Sequence, residues 1–355
     1  CYSKGKDATM KITFPILTLC KGGAQRMLAE LANGLVERGH NVIILMPSTG
    51  VIEYPVNADI KRIPNSYQIK ESDYPEADVI ISNYYTLVTE AQKASLNKKG
   101  VHVRLSLCYE PTFLPEQDLS FPSYHVTPHI LVLSKWHRQI IHLNHGIMGK
   151  IVPVGISKEF YNYSIRSQNK VLNVTAIIRK PEGGLSWHRE QEYLLNQLMV
   201  VRRVYPNVRM TLITPPNEFA TSPALQAIKA SNLYTFLTPG DDRELAYHYN
   251  EADIFVNSST YDTASLPGLE AMKCGAALVT TYNGGNADYC KDGINAMISY
   301  RYEDRLASDI IELLKHHDLR KAVASKGEEE AKKWTWERSV QAMEETIMQL
   351  VKTIE

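Results

Sequence analysis

The chain has 355 residues, enough for two domains of common size, and its 44% hydrophobic and 22% charged residues are ordinary for a globular protein. Its 39 Lys and Arg residues balance 39 Asp and Glu residues, so no overall positive field recruits nucleic acid. No apolar run reaches membrane-spanning length, no signal peptide is visible, and five scattered cysteines indicate neither a zinc site nor a disulfide framework.

The first part of the chain alternates predicted strands with predicted helices. Residues 1–9 are polar and patternless, and we interpret them as a remnant foreign to the protein or as a disordered start. Short apolar runs predict buried strands at residues 11–17, 41–46, 79–82, 101–107 and 130–133. Amphipathic stretches predict helices at 24–37 and 134–144. The second helix carries His137, which we expect at the surface or in an acceptor groove.

The second part repeats this alternation beyond a segment at 151–156 that closes the first domain. Strands are predicted at residues 171–178, 209–213, 254–256 and 278–281. Helices are predicted at residues 190–205, 242–250, 305–315, 319–332 and 336–354. Strands that alternate with helices favour parallel sheets with helices on both faces. The sequence therefore predicts an α/β protein with two Rossmann-like domains.

The most informative stretch covers residues 252–275. A buried strand at 254–256 is followed by a polar turn and then by a helix that ends before Gly275. Ser265 is expected to cap this helix, which would leave the amides of Ala264, Ser265 and Leu266 free to bind an anion such as phosphate. An acid on the turn and another on the helix fit a ligand that carries hydroxyl groups as well as phosphates.

This stretch resembles the signature of the retaining GT-B glycosyltransferases of family four. Asp262 is followed after seven residues by Glu270, Ala271 and Met272, and then by Gly275. The family has Glu where this chain has Asp262. The sequence at residues 283–288 and 292–293 also resembles the corresponding sequence of the family. The resemblance implies two Rossmann-like domains facing across a cleft, at residues 10–155 and 156–335, with a last helix at 336–355 that crosses back to the first domain.

The resemblance also implies roles in the second domain. Arg179, at the end of a predicted strand, would contact the donor's diphosphate, the alternative being a surface charge. The family's second cation is the lysine of a Glu-Lys-Gly motif. That motif is missing here, and Lys180 or Arg189 would replace the lysine. Glu270 would hold the ribose hydroxyls. The segment around Gly240 would hold the nucleobase, largely through main-chain groups.

Three further residues receive roles from the resemblance. Asp262 would contact the transferred sugar, the alternative being a cap on the amides near Ala264. In the first domain, Gly22 and Gly23 would approach the diphosphate, the alternative being an ordinary tight turn. Glu110 would contact the sugar or the acceptor, the alternative being a solvated loop acid.

The implied activity is the transfer of a sugar from a nucleoside-diphosphate donor to an acceptor hydroxyl, with retained configuration, in the synthesis of cell-surface glycans or glycoconjugates. The acceptor would be a glycan, a lipid-linked molecule or a small molecule. No cofactor and no metal are expected, because the sequence has no Asp-x-Asp motif. The expected location is the cytoplasm, with at most peripheral contact to the inner membrane face. Two alternatives are a nucleotide-sugar 2-epimerase of the same fold and a non-catalytic nucleotide-sugar binding protein.

Overall fold

A computed structural model describes residues 9–168 and 171–354. The predicted remnant or disordered start therefore lies, apart from its last residue, outside the described residues. The chain divides into two compact units. The first unit combines Cys1–Gly155 with Thr335–Glu355, and the second unit is Ile156–Trp334.

The first unit contains, in its described residues, a seven-stranded sheet in the order β3-β2-β1-β4-β5-β6-β7, in which all neighbouring strands run parallel. The strands are β1 (Lys11–Pro15), β2 (Asn41–Pro47), β3 (Asp59–Ile63), β4 (Val79–Ser82), β5 (Val101–Leu105), β6 (Ile130–Val132) and β7 (Lys150–Ile151). The helices are α1 (Gly23–Glu37), α2 (Val88–Leu96), α3 (Glu110–Phe113), α4 (Gln117–Ser120) and α5 (Lys135–His145).

The last helix of the chain, α13 (Trp336–Ile354), belongs to the first unit and packs on α1. At Gly34 the two helices approach so closely that an added Cβ would lie 2.3 Å from a methyl group of Val340. The Arg38 Nε donates to a Glu344 oxygen at 2.8 Å, and the His40 Nε2 lies 2.9 Å from the same carboxylate. Packing and ion pairing thus attach the carboxyl-terminal helix to the opening unit of the chain.

The second unit contains, within its described part, a six-stranded parallel sheet in the order β10-β9-β8-β11-β12-β13. The strands are β8 (Asn173–Ile177), β9 (Arg209–Ile213), β10 (Thr235–Leu237), β11 (Ile254–Asn257), β12 (Ala277–Thr281) and β13 (Met297–Ser299). The helices are α6 (Gln191–Val204), α7 (Pro216–Ala220), α8 (Pro223–Ala230), α9 (Asp242–Glu251), α10 (Leu266–Lys273), α11 (Leu306–Lys315) and α12 (His317–Ala331).

The strand order of the second unit places its ligand-binding edge. The connections lead from β8 outward through β9 and β10 and then return to β11 on the other side of β8. In such doubly wound sheets, ligands bind outside the carboxyl ends of the strands, at this reversal. Arg179 follows β8 and Asp262 follows β11, so both lie at the reversal.

The predicted fold class, two parallel-sheet Rossmann-like domains, is confirmed. Strand β3 escaped prediction because four of its five residues are exposed, which removes the apolar run of a buried strand. Strand β13, three residues at the edge of its sheet, was missed as well. In the ranges that the structure describes, none of the helices is both long and apolar enough to cross a membrane.

Candidate active site

Arg179 is held in place by two partners. The Gln191 amide pairs with its main chain, accepting from the Arg179 N–H at 2.5 Å and donating to the Arg179 carbonyl at 2.8 Å. The Glu218 carboxylate accepts from the Arg179 Nε at 2.8 and 2.9 Å and also from Nη2. Glu218 further accepts from the Lys180 N–H at 3.0 Å. Arg179 is therefore an ordered cation at the carboxyl end of β8.

Arg189 lies beside this pair, half-buried at the end of a short 3₁₀ turn. The turn is fastened to the segment after β11, because Ser258 Oγ donates to the Arg189 carbonyl at 2.6 Å and the Thr260 N–H donates to the His188 carbonyl at 2.8 Å. Among the described residues, the Arg189 guanidinium has no hydrogen bond or ion pair with another side chain.

The electrostatics show that Arg179 and Arg189 share one environment. Burial and then the positive charge of Arg179 lower the pKa of Arg189 to about 10, against the opposing effect of the Asp262 and Glu218 carboxylates. Burial and then the charges of Arg189 and Arg179 lower the pKa of His188 to about 4, so the imidazole is neutral at pH 7. Two neighbouring guanidinium groups, one of them unpaired, make a site that attracts an anion.

The start of α10 has a constrained backbone. Ser265 has φ 58° and ψ 55°, the left-handed conformation that non-glycine residues seldom adopt. Three hydrogen bonds hold it there: Asn283 Nδ2 and Asn257 Nδ2 donate to its Oγ at 2.8 and 3.3 Å, and the Tyr289 hydroxyl donates to its carbonyl at 2.7 Å. Backbone strain that is fixed from several sides is typical of functional sites.

The prediction that Ser265 caps α10 was wrong, because its hydroxyl is engaged by the two asparagines and makes no cap bond. Instead, Asp262 Oδ1 accepts from the Ala264 N–H at 3.2 Å. The Ala264 amide was expected to be free for a ligand, but this bond engages it. Pro267 has no N–H to offer. The amides of Ser265 and Leu266 stand at the helix start, where no preceding helical carbonyl can accept them.

The Asp262 main chain is part of the sheet edge. Its N–H donates to the Asn283 carbonyl and its carbonyl accepts from the Gly285 N–H, both at 2.8 Å. These bonds form a parallel bridge between Asp262 and Gly284. Gly284 has φ 105°, which favours glycine, and Gly285 lies against the backbone of Thr263 and Ala264. The asparagine- and glycine-rich segment at residues 283–286 thus fixes the position of the loop that carries Asp262.

Gly285→Ala is expected to displace this loop. An added Cβ would lie 2.5 Å from the Ala264 nitrogen and 2.6 Å from the Thr263 carbonyl carbon, closer than real Cβ contacts. We expect a loss of about 1–3 kcal/mol of folding free energy, as for overpacking elsewhere, and a fall in turnover. The checks are melting temperature and turnover. Gly23→Ala, whose Cβ would have no neighbour within 4 Å, is the control for stability, and equal melting temperatures for the two variants would contradict the prediction.

Glu270 lies on α10 and its residue is only 8% exposed. Burial and then the negative charge of Glu270 raise the pKa of the Tyr249 hydroxyl well above its usual value. The same two causes raise the pKa of the Cys274 thiol to about 12. These shifts place the Glu270 carboxylate next to both groups. Its predicted contact with ribose hydroxyls stays a prediction.

The other predicted contacts of the second unit have partners of their own. The Lys180 ammonium donates to Thr221 Oγ1 at 3.1 Å. The Gly240 N–H donates to Glu244 Oε2 at 2.8 Å, while Asp241 Oδ1 accepts from the Glu244 N–H at 2.9 Å. This reciprocal capping engages the Gly240 amide. Arg189, one of the two residues considered as the second cation, has Arg179 and Asp262 among its electrostatic neighbours.

In the first unit, Gly22 and Gly23 begin α1. The Tyr54 hydroxyl accepts from the Gly22 N–H at 2.8 Å and donates to the Gly22 carbonyl at 3.0 Å. Gly22 is extended, at φ 171°, so its turn does not require glycine by conformation. Gly23 has open space where a side chain would begin. The predicted approach of this loop to a diphosphate stays a prediction.

Glu110 is not a solvated loop acid, because its residue is 2% exposed. One carboxylate oxygen accepts from Arg104 Nη2 and the other from the Tyr124 hydroxyl, both at 2.6 Å. Ser106 extends this network to His137, at 2.9 Å from its Nε2. His137 is therefore buried, contrary to the expected surface position. Both oxygens are thus engaged inside the unit, and the predicted contact of Glu110 with the sugar or the acceptor stays a prediction.

The structure thus brings Arg179, Arg189 and Asp262 together at one sheet edge and places Gly22, Gly23 and Glu110 in the other unit. Sequence reasoning missed Glu218 and Gln191, which lie 39 and 12 residues from Arg179. Within residues 9–168 and 171–354, no three His, Cys, Asp or Glu side chains form a group that could hold a metal ion.

Part of the second unit matches a known protein family. Residues 183–316, which include Arg189, Asp262 and Glu270, match the family model of the glycosyl transferases group 1. The alpha-monoglucosyldiacylglycerol synthase of Acholeplasma laidlawii is 23% identical over 231 residues, which cover 62% of this chain and 58% of that protein. The chain thus spans less than two thirds of the length of the curated relatives it matches.

Solved structures share the fold over nearly the whole chain. Sucrose-phosphate synthase from Thermosynechococcus elongatus has a TM-score of 0.77 at 16% identity, with 97% of this chain and 100% of that chain covered. HepE from Anabaena, in complex with UDP, has a TM-score of 0.74 at 17% identity, with 95% and 99% covered. Residues 183–316 are thus similar to the glycosyl transferases group 1, and the two parallel-sheet units have the GT-B fold.

Proposed function

We propose that this protein is a retaining glycosyltransferase, which moves a sugar from a nucleoside-diphosphate donor to an acceptor hydroxyl in glycan or glycoconjugate synthesis. The observation that carries the proposal is the pair of guanidinium groups, Arg179 and Arg189, at the strand-order reversal of the second unit. The match of residues 183–316 to the glycosyl transferases group 1 supports it.

The chemistry explains why such a pair is useful. When the bond between sugar and phosphate breaks, the departing nucleoside diphosphate gains negative charge, and preorganised donors must meet that charge. Arg179 and Arg189 supply two cations, and the Ser265 and Leu266 amides supply N–H groups at a helix start. Glu270 would accept from the ribose, and Asp262 from the transferred sugar.

The same two cations make a bound metal unnecessary in this proposal. A divalent ion would neutralise the diphosphate, and the two arginines can serve that purpose. Retention of configuration rests on the resemblance of the segment from Asp262 to Gly275 to retaining enzymes. In such a reaction the leaving phosphate itself can accept the proton of the acceptor hydroxyl, so no strong protein base is required.

A uridine donor is the first to test, because HepE structures of the same fold hold UDP, UDP and glucose, or UDP-glucose. The test begins with UDP, GDP and ADP in thermal-shift and calorimetric titrations. A ligand that binds only the folded state at a hundredfold excess over its Kd stabilises it by about 2.7 kcal/mol, which raises the melting temperature by several degrees. The corresponding nucleoside monophosphate, which lacks the second phosphate, is expected to bind more weakly.

Turnover is then measured as release of the diphosphate from the sugar donor, without EDTA and with EDTA. We expect release to continue in EDTA and to leave the sugar's anomeric configuration retained. Activity that EDTA abolishes and manganese restores would contradict metal independence. An epimerised donor would identify the 2-epimerase alternative, and binding without release against any acceptor would identify the binding-protein alternative. A wild-type protein that binds none of the three diphosphates would overturn the proposal itself.

A further inference from the structure

We propose that Glu218 is a positioning residue. It binds the Arg179 guanidinium along the edge formed by Nε and Nη2, so that the edge that includes Nη1 faces the donor's diphosphate. The inference deepens the proposed function and rests on it. Glu218 itself touches no donor atom in this proposal, and it acts through Arg179.

The geometry of the pair shows which edge of Arg179 is occupied. A guanidinium has five N–H groups in a rigid plane. Glu218 binds the edge formed by Nε and Nη2, and its two oxygens lie 2.9 and 2.8 Å from Nε. In the described part of the chain, no hydrogen bond or ion pair engages Nη1. The edge that includes Nη1 is therefore available for a second bidentate partner, and phosphate oxygens match its spacing.

Glu218 is itself fixed to the sheet. It lies in α7, which begins at Pro216 directly after Pro215, close to the carboxyl end of β9. Pro215 has φ −61°, the value that its ring enforces, so this connection has little freedom. Glu218 also accepts from the Lys180 N–H at 3.0 Å, which joins it to the segment after β8. The carboxylate thus ties the ends of β8 and β9 together through one cation.

Arg179 is constrained at both its ends. Gln191 binds its main-chain N–H and carbonyl, and Glu218 binds its head group. Burial alone would raise the pKa of Glu218, but hydrogen bonds from the Arg179 side chain and the Lys180 N–H, together with the charges of Arg179 and Arg189, hold it below its ordinary value. Glu218 is therefore ionised at neutral pH, and its ion pair with Arg179 persists at the pH at which the enzyme would work.

The negative charge of Glu218 lets experiment distinguish a positioning role from a blocking role or a purely structural role. This charge opposes ground-state binding of the diphosphate. A positioning role therefore predicts that Glu218→Gln leaves diphosphate binding equal or tighter while turnover falls. A residue that merely blocks Arg179 until the donor displaces it would, on removal, increase both binding and turnover. A residue needed only for folding would, on removal, lower the melting temperature and weaken binding.

The first experiment compares wild type with Glu218→Gln and with a matched control, Glu182→Gln. Glu182 is another glutamate of the same region. Its carboxylate accepts from Ser222 Oγ and the Ala224 N–H, and it accepts from no cationic side chain in the part of the chain that the structure describes. Binding is titrated with the diphosphate, among UDP, GDP and ADP, that stabilises the wild type most. For Glu218→Gln we expect a Kd no weaker than that of the wild type and a kcat lower by about tenfold to a hundredfold, as for a misplaced catalytic group. Glu182→Gln is expected to keep its kcat.

The second experiment asks whether Glu218 acts through Arg179. In an Arg179→Ala background, Glu218→Gln is expected to cause no further loss of kcat, because the group that it positions is already absent. Independent, additive losses would overturn the proposal, as would an unchanged kcat in the single variant or an equal loss in Glu182→Gln. If the wild type binds no diphosphate, the proposed function fails first, and that outcome is distinct from wild-type binding with an unaffected Glu218 variant.

Discussion

Arg179→Ala is expected to lower donor turnover by about 10²–10³-fold, the usual loss when one preorganised donor to developing charge is removed. The bonds to Gln191 and Glu218 show that the guanidinium is ordered before any donor arrives. Stability should change little, because the Arg179–Glu218 pair is partly exposed, at 36% and 21% of the two side chains, and such pairs contribute only about 0–1 kcal/mol.

Arg179→Lys separates charge from geometry. A lysine keeps the positive charge but cannot bind Glu218 along one edge and a phosphate along another. We therefore expect Arg179→Lys to recover little of the lost turnover. Arg203→Ala, on an exposed position of α6, is the matched control and should keep full activity. Near-normal turnover of Arg179→Ala would mean that this arginine is a strand-end surface charge.

Arg189→Ala is expected to show a different pattern, because the Arg189 guanidinium has no carboxylate partner among residues 9–168 and 171–354. Removing it breaks no ion pair, and it leaves Arg179 alone to attract the diphosphate. The main effect should be a weaker Kd for the nucleoside diphosphate, accompanied by a fall in kcat/KM. An unchanged Kd would return Lys180 to consideration as the second cation.

The fold was predictable because burial leaves a direct trace in the sequence. Strand β11 opens with a continuous apolar run at residues 254–256, and helix α1, Gly23–Glu37, repeats apolar residues at helical spacing. Strand β3 left no such trace, since an edge strand with exposed side chains reads like a loop.

The candidate site was predictable only in part. The spacing of Asp262 and Glu270 and the position of Arg179 at a strand end are visible in the sequence. The position of Arg189 was not, because it depends on how the segment at 181–189 folds back on the chain after β11. The left-handed Ser265 could not be expected either, since serine rarely adopts that conformation and the bonds that hold it come from residues as distant as Asn283 and Tyr289.

The buried network around Glu110 gives a similar lesson. Arg104 lies within a strand whose neighbours are apolar, and a charged residue in that position requires a buried partner. That was a usable signal for the Arg104–Glu110 pair. The family resemblance assigned Glu110 to a loop that faces the sugar, whereas in the structure Glu110 is the buried partner of Arg104.

Asp262→Asn is the sharpest test of the sugar contact. The sequence suggested that Asp262 either touches the donor sugar or caps the amides near Ala264, and the structure shows that its two oxygens can do different things. Oδ1 accepts from the Ala264 N–H at 3.2 Å, whereas Oδ2 has no hydrogen-bond partner among the described residues. The two interpretations are therefore compatible, and Ser265 makes no cap bond to α10.

Asparagine keeps an acceptor for the Ala264 N–H but loses the charge. Asp262→Asn should therefore leave the melting temperature nearly unchanged. A hydrogen bond from a sugar hydroxyl to a charged group contributes about 1.5–3 kcal/mol, so turnover should fall by about 10- to 150-fold if the contact forms mainly in the transition state. Binding of the nucleoside diphosphate alone should be equal or tighter, because a negative charge near Arg189 has been removed.

Asp262→Ala completes the comparison, because alanine removes the acceptor for Ala264 as well as the charge. Its turnover should be at least as low as that of Asp262→Asn. Its stability should also fall, by about 0.5–2 kcal/mol, as when a side chain that caps backbone amides is lost. The measurements are melting temperature, diphosphate Kd and turnover for both variants side by side. If Asp262→Asn keeps full turnover and only Asp262→Ala loses stability, Asp262 holds the backbone before α10 and does not act on the sugar.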